Sequence, residues 1–153
     1  MEKISKIFVI FTLIALSLGI KFPAHLSTSS LNTSYGRRFF GSSSGDQLGY
    51  FVSKIGDVDN DGIEDFAASA PMSDSDLGAI RGGHVYVVYG TKNVSGKWPI
   101  QNIVDIDIVS ISSNKQLGRI IDGVDYLAQI GLSIAPAGDF NKDGFGDIMI
   151  GAW

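Results

Sequence analysis

The sequence predicts an all-β chain built from tandem repeats, a radial or stacked array of short-stranded units. Three observations carry that reading. Sliding the chain by 82 residues lays residues 36–71 on residues 118–153 without a gap, and eleven of the thirty-six aligned pairs are identical. Unrelated sequence would give about two or three. Nineteen glycines against four prolines mark many tight turns. After the first twenty residues, no window of a dozen sustains the apolar period of about 3.6 residues that a helix requires.

The N-terminus belongs to another class. Lys3 and Lys6 precede Ile7 to Ile20, fourteen residues without a charge. A bilayer-spanning helix needs about 20 apolar residues, so the run suits the core of a signal peptide. Ser17-Leu18-Gly19 supplies small residues at the exit, which assigns residues 1–19 to the signal peptide and 20–35 to a leader segment. Cleavage removes Glu2, Lys3 and Lys6 and takes the formal charge from -4 to -5. Asn32-Thr33-Ser34 and Asn93-Val94-Ser95 are glycosylation sequons, in keeping with a secreted glycoprotein.

Residues 36–117 form the first repeat unit, and residues 118–153 the first thirty-six residues of a second. Leu48 to Ile55 reads as a strand ended by Gly56, and Phe66 to Ala70 as a second closed by Pro71. Gly82-Gly83 opens a third, His84 to Tyr89, which Gly90 stops. A fourth apolar run, Ile103 to Ile111, alternates Val104, Ile106 and Ile108 with Asp105 and Asp107.

The chemistry concentrates between the first two strands of each unit. Asp57, Asp59, Asp61 and Asp65 stand at relative positions 1, 3, 5 and 9, with Gly62 at position 6. Asp139, Asn141, Asp143, Asp147 and Gly144 repeat the pattern, with Asn at position 3. Alternate side chains of a curled loop converge on one point, the glycine permits the sharp turn, and the carbonyl of position 7 joins the ligands. Oxygen donors without histidine or cysteine favour Ca²⁺. An EF-hand would require Glu at position 12, where Ala68 and Ile150 stand, and helical flanks, where strands are expected.

Other chemistries are excluded or lack support. The chain has no cysteine, which rules out disulfides, thiol catalysis and iron–sulfur clusters. Clustered acids and a negative net charge argue against a nucleic-acid partner. No Gly-x-Ser-x-Gly elbow, HExxH pair or phosphate loop is present, and the histidines are His25 and His84 alone. A non-enzymatic role is expected, with no membrane span in the chain.

The stretch from Leu48-Gly49 through Gly56-Asp57-Val58-Asp59-Asn60-Asp61-Gly62 to Ala68-Ser69-Ala70-Pro71 resembles an FG-GAP repeat, the blade unit of the β-propeller at the head of integrin alpha subunits. Ile130-Gly131 through Gly138-Asp139 to Gly151-Ala152 is similar. Leu48 and Ile130 replace the family's Phe, Ser69 its Gly and Trp153 its Pro. The resemblance implies β-propeller blades, about one and a half of them, carrying structural Ca²⁺. It assigns one site to Asp57, Asp59, Asp61, Ile63 (through its carbonyl) and Asp65. The other falls to Asp139, Asn141, Asp143, Phe145 (through its carbonyl) and Asp147. It further implies cell adhesion or protein recognition outside the cell, secreted or at the surface, with an extracellular protein or matrix ligand and a receptor partner subunit. The propeller region of a secreted hydrolase, such as a GPI-specific phospholipase D-like enzyme, is the alternative.

Overall fold

The computed structural model describes residues 8–10, 37–41, 43, 45–90, 105–107, 111, 115 and 117–153. Most of the signal-peptide and leader assignments, both sequons and most of the 103–111 run lie outside these residues. Within them the strands are β1 (Phe8–Ile10), β2 (Arg37–Phe40), β3 (Val52–Gly56), β4 (Asp65–Ala70), β5 (His84–Val88), β6 (Asp105–Asp107), β7 (Gly118–Asp122), β8 (Ser133–Gly138) and β9 (Asp147–Gly151).

They form three sheets, ordered β1-β2-β6, β3-β4-β5-β7 and β8-β9. The second is a complete, wholly antiparallel propeller blade, and the third is the first hairpin of the next. In the first sheet β1 runs antiparallel and β6 parallel to β2. Arg37 and Arg38 therefore sit on the central strand of this sheet.

Two expectations need correction. The strand expected from Leu48 begins only at Val52. Gln47 (φ 60°) and Gly49 (φ 83°) turn the chain before it, and Tyr50 N–H donates to the Gln47 carbonyl at 2.9 Å. Leu48 is nonetheless buried, and Gly49 N–H donates to the Ser69 carbonyl at 2.8 Å. Second, the apolar run around residue 106 does not complete the blade. The fourth strand is β7, whose residues open the second sequence unit, so the sequence period and the sheet are out of step by one strand.

The repeat is conformational as well as chemical. Gln47, Gly49, Gly56, Asn60 and Gly62 all have positive φ, and so do Gln129, Gly131, Gly138, Lys142 and Gly144, each 82 residues on. The register shift before Gly56↔Asp65 recurs before Gly138↔Asp147. Gly131 N–H donates to the Gly151 carbonyl just as Gly49 does to Ser69.

The blade is buried on both faces. Phe66, Ala68, Ala70, Tyr86 and Val88 pack on one side with Phe39 of β2, Ile111 and Leu117. Ala67, Val85 and Val87 pack on the other with Ile134 of β8, and Ile148 and Ile150 of β9 lie against them. Successive residues of β4 and β5 thus serve opposite cores, which explains their nearly unbroken burial. Ser69, in place of the expected Gly, is fully buried, and its hydroxyl accepts from Phe51 N–H at 3.1 Å.

Backbone contacts seal the two blades. Gln129 N–H donates to the Arg81 carbonyl at 3.1 Å and Ile130 N–H to the Gly82 carbonyl at 2.9 Å. Gly83 has φ 85°, and a Cβ there would stand 2.8 Å from Ile130 N and 2.9 Å from its carbonyl oxygen. Gly78 has φ 91° with open space around it. Gly83→Ala is therefore expected to cost about 1–3 kcal/mol beyond Gly78→Ala, which bears only the left-handed strain of about 1–2 kcal/mol. Urea unfolding of both variants measures the difference, and equal losses would deny the inter-blade contact.

Candidate metal centre

The β3–β4 turn is a cage of backbone amides around carboxylates. Asp57 accepts from Asp61 N–H at 3.0 Å through one oxygen and from Gly62 N–H at 2.8 Å through the other. Asp59 accepts from Asp61 N–H at 3.3 Å, and Asp61 from Ile63 N–H at 2.8 Å. These bonds curl the chain so that oxygens of Asp57, Asp59 and Asp61 all lie within 4.8 Å of one another. Left-handed Asn60 and Gly62 supply the curvature.

Asp65 plays a different part from the other three. It is 2% exposed and divides its carboxylate between two segments. One oxygen accepts from Val58 N–H at 2.8 Å and the other from Gly90 N–H at 2.6 Å. It thereby ties the start of the loop to the end of β5. Ile63 is half-buried in the turn.

The β8–β9 turn repeats most of these bonds. Asp139 accepts from Asp143 N–H and Gly144 N–H, both at 3.0 Å. Asn141 Oδ1 accepts from Asp143 N–H at 2.9 Å, and Asp143 from Phe145 N–H at 2.9 Å. Asp147 accepts from Phe140 N–H at 2.7 Å. Asn141 also donates its own amide to Asp143 at 2.9 Å, a contact that Asp59 cannot make. Phe145 and the ligand candidates before it are exposed, whereas the first loop is mostly half-buried.

Two glycines outside the sequence-derived set complete the arrangement. Gly90 supplies the amide that holds Asp65, and a Cβ there would meet Ile63 Cγ2 at 2.5 Å. Gly146 donates its N–H to the Asp57 carbonyl at 2.9 Å, so the second acidic loop rests on the first. Its counterpart in the first loop is Glu64, which turns outward to Lys54 at 3.0 Å. Neither glycine announces itself in sequence, because each acts through a residue distant along the chain.

The electrostatics are those of crowded anions. Burial, then the charges of Asp61 and Asp57, raises the Asp59 pKa above the ordinary 3.8. Burial likewise raises Asp65, opposed by the Gly90 and Val58 amides. Folded-state values above the unfolded ones mean that these two groups lose stability as pH rises from about 3.8 through the raised values, and that the loss is complete above them. A cation bound among these carboxylates would offset it. The gain in urea midpoint on adding millimolar Ca²⁺ in place of a chelator is expected to grow between about pH 4 and about pH 7. Asp59→Asn should raise the chelated midpoint and shrink the gain. A gain independent of pH and of residue 59 would show that no cation uses these carboxylates.

No protein-family model matches the chain. Among curated relatives, integrin alpha-PS2 of Drosophila melanogaster is 30% identical over 112 residues, 71% of this chain and 7% of the relative. Integrin alpha ina-1 of Caenorhabditis elegans is 29% identical over 110 residues, 69% of this chain and 8% of the relative. Integrin alpha-V of Gallus gallus is 26% identical over 149 residues, 69% of this chain and 14% of the relative. The chain thus spans a small part of each relative. Repeat, blade and relatives agree: the chain is similar to integrin alpha subunits, and its blades are consistent with an integrin-alpha-like FG-GAP β-propeller region.

Proposed function

We propose that this chain is a calcium-binding blade region of an extracellular, integrin-alpha-like module for cell adhesion or protein recognition, without enzymatic activity. One observation carries the reading: two acidic loops with the same hydrogen-bond scaffold head consecutive blades of an integrin-like fold. The donors fit Ca²⁺. They are all oxygen, those of Asp57, Asp59 and Asp61 converge, and the burial and mutual repulsion that raise Asp59 favour a cation.

Asp57, Asp59, Asp61, Asp65 and the Ile63 carbonyl would hold one ion; Asp139, Asn141, Asp143, Asp147 and the Phe145 carbonyl the other. Bound Ca²⁺ supplies charge neutralisation and a crosslink across the turn. The chain's own residues do the rest: the Asp57 and Asp139 carboxylates fix the curl, and Asp65 anchors the first loop to β5. Residues 1–19 act as signal peptide, and Asn32 and Asn93 are glycan acceptors. Partners are an extracellular protein or matrix ligand and a receptor subunit. Among the described residues no helix is long and apolar enough to cross a membrane. Strand β1 lies within the assigned signal peptide and pairs with β2, so cleavage after Gly19 would leave β2 with β6.

The first loop carries -5 in nine residues and the second -2. Calcium affinity rises with ligand charge and rigidity, so the first site is expected to be tighter by roughly tenfold. Titration calorimetry on the intact chain should resolve two events, with Asp61→Ala removing the tighter and Asp143→Ala the weaker. Unchanged uptake in both variants overturns the calcium assignment.

Expression with a C-terminal tag in secretory cells should return a chain beginning at Ile20, from the medium or cell surface. Recovery of intact Met1 from the cytosol overturns the extracellular assignment.

A further inference from the structure

A second convergence of ligand-capable side chains lies away from the acidic loops. His84 opens β5 and pairs in register with Asp122, the last residue of β7. Their Nε2 and Oδ1 atoms are 2.8 Å apart, and Oδ1 of Asp76, from the loop between β4 and β5, stands 3.9 Å from the same nitrogen. Donor atoms of all three residues fall within 4.8 Å of one another.

The imidazole is the informative member. Its side chain is 9% exposed, yet Nε2, like Asp122 Oδ1, is buried without a hydrogen bond of acceptable geometry. A buried imidazole nitrogen 2.8 Å from a carboxylate oxygen, in a contact too poorly aligned for a hydrogen bond, recovers only part of its desolvation cost, and a metal bridging the two groups would recover more. Its other nitrogen, Nδ1, is 3.3 Å from the Tyr86 hydroxyl, and the two rings lie 5.6 Å apart. An outer partner on Nδ1 orients a ligating histidine and leaves the Nε2 lone pair free for the metal.

We propose that Asp76, His84 and Asp122 form a binding site for a divalent transition metal of the Zn²⁺ class. One imidazole nitrogen and two carboxylates suit that borderline ion, whereas Ca²⁺ prefers oxygen alone. Three protein ligands leave a fourth position for water. The bound metal clips the loop carrying Asp76 to the ends of β5 and β7. The same loop carries the Arg81 and Gly82 carbonyls that bond the next blade, so the clip braces the inter-blade seal.

The test uses the full chain without a histidine tag, in millimolar Ca²⁺ to occupy the acidic loops, with Zn²⁺ followed by equilibrium dialysis and Co²⁺ by its visible absorption. A single equivalent of Zn²⁺ is expected beyond calcium, together with a Co²⁺ band that Zn²⁺ displaces. His84→Gln should abolish both. Asp76 is 73% exposed, so Asp76→Asn should leave the zinc-free thermal midpoint unchanged while weakening Zn²⁺ binding by at least about tenfold. His25→Ala should change nothing. Uptake that survives His84→Gln, or that depends on His25, overturns the proposal. So does absence of Zn²⁺ uptake with His84 answering only to pH, which would make the trio an ion-pair cluster.

Discussion

Burial of the β3-β4-β5-β7 sheet on both faces is the constraint from which the rest of the molecule follows. Ala67 and Val85 face one core while Ala68 and Tyr86 face the other, so the sheet needs a neighbour on each side to remove its apolar atoms from water. Small residues on β4 let both neighbours approach. Phe39 on one side meets Phe66 edge-on, with ring centroids 5.6 Å apart, and Ile134 on the other closes over Val85 and Val87. Each buried Val or Ile contributes about 1.5–3 kcal/mol, a stabilisation that exists only when blades stack.

Stacking then decides where the acids go. The β3–β4 and β8–β9 turns emerge at the same place in successive blades, and Gly146 brings the second against Asp57 of the first. Backbone amides satisfy many of the carboxylate lone pairs without supplying a positive charge. The scaffold therefore sets the geometry of the turn while leaving its net charge uncompensated. A cation bound there would compensate that charge.

The blade seam and the Asp76–His84–Asp122 cluster are linked through one loop. Gly82 and Gly83 end it, close backbone approach keeps side chains off that seam, and Gly123 N–H donates to the Gly83 carbonyl at 3.0 Å. Anything that orders residues 72–81 acts on the carbonyls that receive the second blade. Local chemistry and inter-blade packing are thus coupled through backbone, not through long side-chain chains.

The 82-residue repeat, the strands at Phe66 and His84 and the recurring acidic turn were legible in sequence because each is written in residues close along the chain. Turn chemistry at Asp57–Asp65 depends on alternate carboxylates and a glycine, and these need no distant partner to be recognised. The opposite holds for Gly118–Asp122. Its apolar pattern matches a strand in either unit, and only pairing with His84–Val88 assigns it to the first blade. Asp65 reads as one more ligand in sequence, whereas its tie to Gly90, 25 residues away, exists only after β5 has packed. His84 looks like a strand residue until β7 and the Asp76 loop arrive beside it. Residue type and spacing determined which groups could meet; the tertiary structure decided which did, because contacts across strands and blades are set by burial and register and not by neighbours in sequence.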